Sequence, residues 1–308
     1  MAVQQTNATA ETPKRPWLRR IRVTLGPLEE YKNAKKGSTV QFVSDGTLNG
    51  LRVVASIQKT IMVLPQPSMI DIYNLSRDTR NAIKKSLTKI TLEAGWGNTD
   101  YRTVFQGSVV SVVSEKAGAD IVTHIMCLPG YGAVAQAASS ATFGPATPIT
   151  TVIEQLGKDL PGVVVDQNNF RGCEGRIGGR GWSCHGTTKQ ALTDLAEEYG
   201  FSWSINDGKL VCIGDRFMLA PSYTFDSVKS GLVSITPILS GPFQITTGVR
   251  IKALYVPGLS VGSSIKVDSK LNEQFSGTYR IHTCSISIDA YSDSWTMDLE
   301  NYMLGIKV

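Results

Sequence analysis

Apolar and polar residues alternate with a period of two over most of this chain. Leu51, Val53, Ala55 and Ile57 share one face of a stretch whose neighbours are Arg52, Val54, Ser56 and Gln58. Ile90, Leu92 and Ala94 alternate with Thr91 and Glu93, and Ile121, Thr123, Ile125 and Cys127 line one face of a further stretch. Successive side chains of a strand point to opposite sides, so this pattern predicts half-buried strands from Trp17 to about Gly130. One helix interrupts them, over Arg77 to Leu87. Ser76 can cap its first turn, Asp78 suits its N-terminal dipole, and Lys84 and Lys85 suit its C-terminal one. Ile83 and Leu87 are four apart and should face the sheet. Gly95-Trp96-Gly97-Asn98 then marks a turn. The region reads as a small antiparallel barrel or sandwich carrying one helix.

Gly130 to Pro148 is rich in Ala, Ser and Gly and has no clear period, which predicts a linker or long loop. From Thr150 the character changes. Thr150 or Thr151 can start a short helix to about Lys158. Thr187 and Gln190 have capping-box spacing for a stronger helix through Tyr199, ended by Gly200. Phe201, Trp203 and Ile205 alternate, and Asn206-Asp207-Gly208 leads to Leu210 and Cys212, a hairpin signal. Period two returns after Phe225: Val249, Ile251 and Ala253 on one face, then Trp295, Met297 and Leu299. The predicted organisation is a flexible arm over 1–16 and a first β-barrel with one helix over 17–130. A linker over 131–148, a small α+β domain over 149–220 and a second β-barrel over 221–308 complete it. The fold class is mainly β with an α+β insert.

A repeat is faintly visible between the two β regions. Phe105-Gln106-Gly107-Ser108 precedes Asp120-Ile121-Val122-Thr123, and Phe275-Ser276-Gly277-Thr278 precedes Asp293-Ser294-Trp295-Thr296. Two copies of one supersecondary unit would give this order. Shared Gly and Thr usage in all-β sequences would give it as well.

Composition narrows the function classes. The 308 residues are 42% hydrophobic and 19% charged with 29 glycines, which suits a turn-rich β protein. A net charge of +5 does not by itself imply nucleic-acid binding. Lys14, Arg15, Arg19, Arg20 and Arg22 cluster, and read as a solvated basic arm. The five cysteines, Cys127, Cys173, Cys184, Cys212 and Cys284, are an odd number and do not suggest a secreted disulfide scaffold. Met1 to Pro16 lacks the apolar core of a signal peptide. No stretch approaches the ~20 apolar residues needed to span a bilayer. A chain made and folded in a cytoplasm is expected.

Candidate chemistry is sparse. Arg171 to Gly181 is Gly-rich and precedes a helix, as a phosphate-cradling loop would, but no lysine and hydroxyl follow Gly179. An exposed loop touching a neighbouring subunit fits better. Cys173, Cys184, His185 and Cys212 could gather as metal ligands, yet no Cys-x-x-Cys pair occurs. A Cys173–Cys184 disulfide is another reading of the same residues. His124 and His282 fall in predicted strands and read as packing or surface groups. Glu197 and Glu198 are adjacent on a helix and diverge, unlike a hydrolytic carboxylate pair. Trp96, Trp182 and Trp203 are candidates for stacking on sugars, with Trp203 better suited to a core and Trp96 to exposure. No catalytic, cofactor-binding or metal-ligating residue is assigned, and no cofactor is expected.

The run Ile72-Tyr73-Asn74-Leu75-Ser76, the following helix, Ile90 to Gly95, Phe105-Gln106-Gly107 and Cys127-Leu128-Pro129-Gly130 resembles the first barrel of phage tail-hub (baseplate hub) proteins of contractile-tailed bacteriophages. Gly248 to Leu259 with Val261-Gly262 is similar to the opening of that family's second barrel, and Gly277 to Trp295 to its close. Gln190 to Tyr199 and its hairpin look like the small domain between them. The resemblance spans nearly everything after Trp17. It implies tube-like barrels and a non-enzymatic virion protein of the tail baseplate, a homotrimer whose ring of six similar barrels joins a sixfold tail tube to a threefold central spike. The implied partners are further copies of the chain, the tail tube or tube-initiator protein and the central spike protein. The tape measure protein and the baseplate wedge are further candidates, and DNA only passes through the channel. The modest length implies a hub without a fused spike or lysozyme domain. Two other readings stand beside it: a β-rich tail-tip module binding glycans or a cell surface, and an enzyme using the Gly-rich loop.

Overall fold

The structure, a computed structural model, describes residues 19–26, 39–45, 50–63, 65–85, 88–97, 100–226, 231–240, 245–270 and 272–302. The expected arm over 1–16, with Lys14 and Arg15, lies outside the described residues, as do Trp17, Leu87 and Asn98.

The first half holds strands β1 (Arg19–Gly26), β2 (Val40–Ser44), β3 (Val53–Thr60) and β4 (Ser68–Tyr73), helix α1 (Arg77–Lys85), and strands β5 (Lys89–Trp96), β6 (Asp100–Ala117) and β7 (Asp120–Leu128). The middle holds α2 (Tyr131–Gln136), β8 (Ala138–Phe143), α3 (Ile149–Lys158), β9 (Phe170–Arg171), β10 (Trp182–Thr187), α4 (Thr188–Tyr199), β11 (Phe201–Asn206) and β12 (Lys209–Gly214). The last part holds β13 (Leu219–Asp226), β14 (Leu232–Ser240), β15 (Ile245–Leu254), β16 (Ser263–Asp268), β17 (Gly277–Asp289) and β18 (Trp295–Tyr302). The fold is mainly β, built on a large and mostly antiparallel sheet.

The alternating faces become the core. Val53, Ala55 and Ile57, then Ile90, Leu92 and Ala94, then Val249, Ile251 and Ala253, and Trp295, Met297 and Leu299 are all buried. The entry to α1 has a local cause. Asn74 adopts a left-handed φ of 57°, which Asn tolerates better than most residues. Its side chain accepts from the Ile121 N–H at 3.0 Å and donates to Asp120 at 2.9 Å, so the turn is tied to the start of β7. Leu75 is buried, and Ser76 Oγ accepts from the Thr79 N–H at 3.1 Å as a cap. Gly107 is needed for space: a Cβ there would lie 2.6 Å from both the Phe105 ring and the Leu128 carbonyl.

Two sets of five strands share one pairing order. In the first half the order is β3-β4-β7-β6-β5, and in the last part it is β14-β15-β18-β17-β16. In each set the members occur in the same chain order. The Tyr73 N–H donates to Arg52 O at 3.0 Å, and the Leu254 N–H donates to Gly231 O at 2.9 Å at the matching place. Each set also has a bulge in its long hairpin, between Val109 and Ser111 in one and between Ile281 and Thr283 in the other. These landmarks match Val110 to His282 and Asp120 to Ser294. The repeat read from sequence pairs the right hairpins, with a register one or two residues off.

The two sets are not separate sheets. β17 is long enough to pair β16 through Gly277–Arg280 and then β3 through Thr283–Asp289. One apolar cluster therefore runs from Ile21 to Leu299 through both sets. The middle segment has its own core, with Val152, Ile153 and Leu156 of α3 and Leu192 and Leu195 of α4 packed near Trp203 and Leu210. Thr187 Oγ1 accepts from the Gln190 N–H at 3.3 Å, and Gly200 closes α4 at φ 72°.

Residues 131–148 are more than a linker: they carry α2 and β8. β8 pairs antiparallel with β10, some forty residues on, and its buried Ser139 bonds Thr188 at 2.7 Å and Asp159 at 2.6 Å. Small polar residues become a strand here because of a distant partner.

Candidate assembly surface

The middle segment is fixed to the sheet by its hairpin turn. Lys59 on β3 is 4% exposed, and its Nζ lies 2.7 Å from Asp207 Oδ2. Asn206 Nδ2 donates to Thr60 O at 3.2 Å. With its amide oriented to suit its neighbours, Gln106 on β6 donates to Asp207 O at 3.2 Å and accepts from Lys89 Nζ at 3.1 Å. Arg280 on β17 donates to Gly214 O at 3.0 Å and Phe217 O at 3.2 Å, just beyond β12. Burial lowers the Arg280 pKa from its usual value, with Asp215 opposing. Polar contacts from both strand sets therefore hold one hairpin. A buried ion is costly alone and acceptable when paired, so this arrangement fixes an orientation.

The residues singled out for chemistry do not converge. Cys173 and Cys212 are buried, and burial pushes the Cys173 thiol up to about 12 and Cys212 well above its usual value. A metal-binding or reactive cysteine needs the thiolate, which these sites disfavour. Cys184 and His185 are neighbours on β10, so they point to opposite faces. His185 Nδ1 lies 3.2 Å from Ser140 Oγ. Among the described residues all five cysteines are free, and no three His, Cys, Asp or Glu side chains gather where they could hold a metal ion. A whole strand, β10, separates the Gly-rich loop from α4, so the loop does not feed a helix N-terminus as a phosphate cradle does.

His124 Nδ1 lies 2.8 Å from Asp71 Oδ1 and its Nε2 lies 3.2 Å from Glu115. The hydrogen bond to Asp71 raises its pKa, with desolvation opposing. His282 is buried at the second bulge and packs edge-on to Tyr302 at 5.0 Å. Desolvation lowers its pKa, helped by Arg280. Glu197 and Glu198 are exposed on α4. Trp203 is core. Trp96, expected to be exposed, is half-buried: it ends β5, paired with Arg19 and Asp100, and packs edge-on to Trp295 at 5.6 Å. Trp182 is half-buried near Phe143 at 6.1 Å. An open depression of about 510 Å³ is lined by Lys59, Arg250, Asp298 and Glu300 among others. Lys59 pairs with Asp207 and Arg250 with Glu300, so both cations of this lining are already matched by carboxylates.

What remains open is sheet edge. Among the described residues β14 pairs β15 alone, and β6 beyond Val109 pairs β7 alone. Val233 (58% exposed) and Leu239 (47%) lie on β14, and Val113 (57%) lies on β6. Unpaired edges carrying apolar side chains are templates for association. Sequence periodicity cannot reveal them, because it does not say which strand ends a sheet.

The profile of the family described as Baseplate hub gp41 matches residues 37–300. No curated protein sequence matches the chain. The fold is similar to that of a tail protein from Neisseria meningitidis MC58, with TM-score 0.61 and 11% identity over 94% of this chain and 97% of that one. It is also similar to the 43 kDa tail protein of prophage MuSo2 from Shewanella oneidensis, with TM-score 0.59 and 10% identity over 93% and 97%. A third similar structure is an E. coli component of the type VI secretion system, itself described as similar to the T4 bacteriophage tail proteins gp27 and gp5. It has TM-score 0.54 and 10% identity over 83% and 75%. No described helix is long and apolar enough to cross a membrane.

Proposed function

Because the chain belongs to the baseplate hub gp41 family, we propose that three copies of it close into a ring that joins the sixfold tail tube to the threefold central spike. The chain is a structural component of a phage tail baseplate and resides in the virion tail. The observation that carries the ring is the pair of strand sets with one pairing order, side by side in one chain. Three chains then offer six similar units, which matches a sixfold tube on one side and keeps threefold symmetry on the other. The middle segment, held by Lys59, Gln106 and Arg280, meets other components in this reading. The tail tube or tube initiator and the spike are the direct partners in this reading. The tape measure protein and baseplate wedge are further ones, DNA passes through the ring, and the chain is made in the host cytoplasm.

The purified chain, alone and with a co-expressed spike protein, should give a three-chain mass by light scattering and ring-shaped particles in negative stain. A chain that stays monomeric at every concentration, with and without the spike, would sink this reading.

A further inference from the structure

We infer that the ring is sewn together by strand pairing, with β14 of one copy adding antiparallel to the outer half of β6 of the next. The inference rests on the three-copy reading and names the surface that reading requires.

The argument comes from an asymmetry inside the chain. The two strand sets are equivalent in order, so each should use the same edges. In the first set, β3 gives its outer edge to β17 of the second set, in the register Thr60 to Thr283, Ile57 to Ile286 and Val54 to Asp289. The Ile61 N–H donates to His282 O at 3.1 Å at the end of this seam. By position, β3 corresponds to β14, and β17 corresponds to β6. Among the described residues, the edge of β14 that matches the paired edge of β3 is open. The half of β6 that matches the paired half of β17 is open too. One seam is made within the chain, and both halves of a second, equivalent seam face outwards at opposite ends. Such a head-to-tail contact closes only through further copies.

The landmarks also give a register. The bulges match Ser111 to Thr283. The ladders onto β4 and β15 match Val54 to Ser234. The internal seam then translates to Ser111 opposite Ser240, Val113 opposite Ile238, and Ala117 opposite Ser234 of the neighbouring copy. Five apolar side chains are buried at the internal seam, and three of their counterparts are apolar as well. Ala55, Ile57, Cys284, Ile286 and Ile288 are buried in the internal seam. They correspond on the open edges to Ile235, Pro237, Val112, Ser114 and Lys116, Leu239 takes the place of Lys59, and Val113 and Ile238 occupy the place of the bonded pair Ser285 and Gln58. Among the described residues, Val110, Val113, Val233 and Leu239 are four of the eleven large apolar side chains left exposed, and all four lie on these two strands. Pro237 corresponds to Ile57, whose N–H faces the internal seam, so the second seam has one donor fewer. Proline is tolerated at such an edge position, and the remaining pairs keep the ladder.

Val113 and Ile238 fall at a place where the two strands do not exchange hydrogen bonds, which brings Cα atoms to ~4.5 Å, within reach of a disulfide. The test uses the full chain with Cys184→Ser, Val113→Cys and Ile238→Cys, oxidised in air and run without reductant. A ladder ending at a three-chain closed product is expected, with at least tenfold less cross-linking when Thr236→Cys replaces Ile238→Cys. Val113→Lys should lower the mass from three chains to one with an unchanged circular dichroism spectrum, since that side chain is exposed in the single copy. Three-chain particles that neither cross-link at this pair nor dissociate with Val113→Lys would overturn the β14–β6 seam and leave the three-copy reading standing. A wild-type chain that never leaves the one-chain mass overturns both.

Discussion

The two strand sets share an order and differ in almost everything that fills it. The first connects β4 to β5 through a capped helix whose Ile83 enters the core, whereas the second connects β15 to β16 through a turn at Pro257 and Gly258. The first is extended by β1, antiparallel to β5; the second is extended by β13, parallel to β16. His124 of the first set sits among carboxylates, and His282 of the second is buried beside Arg280. What persists is the long strand with a bulge, where β17 passes from β16 to β3 and β6 parts from β5. Backbone pairing needs no particular side chain, so an ordering of strands survives while the packing on its faces diverges. A sheet that must also present an edge keeps the bulge, which bends the strand and ends one pairing before the next begins.

The largest effect should come from the joint the two sets share. Trp295 is fully buried and packs edge-on to Trp96 of the first set and to Tyr255 at 5.8 Å. Trp295→Ala should cost about 3–5 kcal/mol in urea unfolding. It should weaken both sets in one transition, because their core is continuous. Two separated transitions in the wild-type chain, with only the later part affected by the substitution, would break the comparison by making the halves independent.

A smaller effect is expected where the middle segment is held. Lys59→Met leaves Asp207 half-buried without its cation and should cost about 1–3 kcal/mol. Adding Asp207→Asn should recover much of that loss, because the pair offsets its own desolvation. If the single and double variants are equally unstable, the contact acts through packing of the lysine stem and not through charge.

The histidines give the smallest and most discriminating signal. His124 should titrate above the usual 6.5 and His282 below it, as read by ring-proton shifts in NMR. The raised His124 favours the folded state at pH below its unfolded pKa, and this contribution fades as pH rises through the folded value. The lowered His282 acts oppositely: its contribution is complete above 6.5 and is lost as pH falls towards its folded value. Asp71→Asn should bring His124 back towards its usual value without moving His282. A joint shift of both would mean that the two sites are coupled through the sheet.

Much of the fold is legible because its causes are local. The alternation at Val53–Ile57 and Trp295–Leu299, the Ser76 and Thr187 caps, the Gly200 stop and the Asp207-Gly208 turn all appear where the sequence pattern puts them. β8 was not legible, since Ala138–Phe143 has no apolar period and becomes a strand through β10. The half-burial of Trp96 is hidden from the sequence for a related reason. Flanking glycines suggest an exposed turn, but the ring's surroundings come from Trp295, about two hundred residues away.

By itself the sequence determined most of the extended and helical segments and which of their faces are apolar. These follow from interactions between residues a few positions apart. Only the tertiary structure decided that β17 abandons β16 for β3, that two sets become one sheet, and that β14 and the end of β6 are left open among the described residues. Strand partners are chosen by loop closure and shape over hundreds of residues, and a strand carries the same alternating pattern whether its edge is paired or waiting.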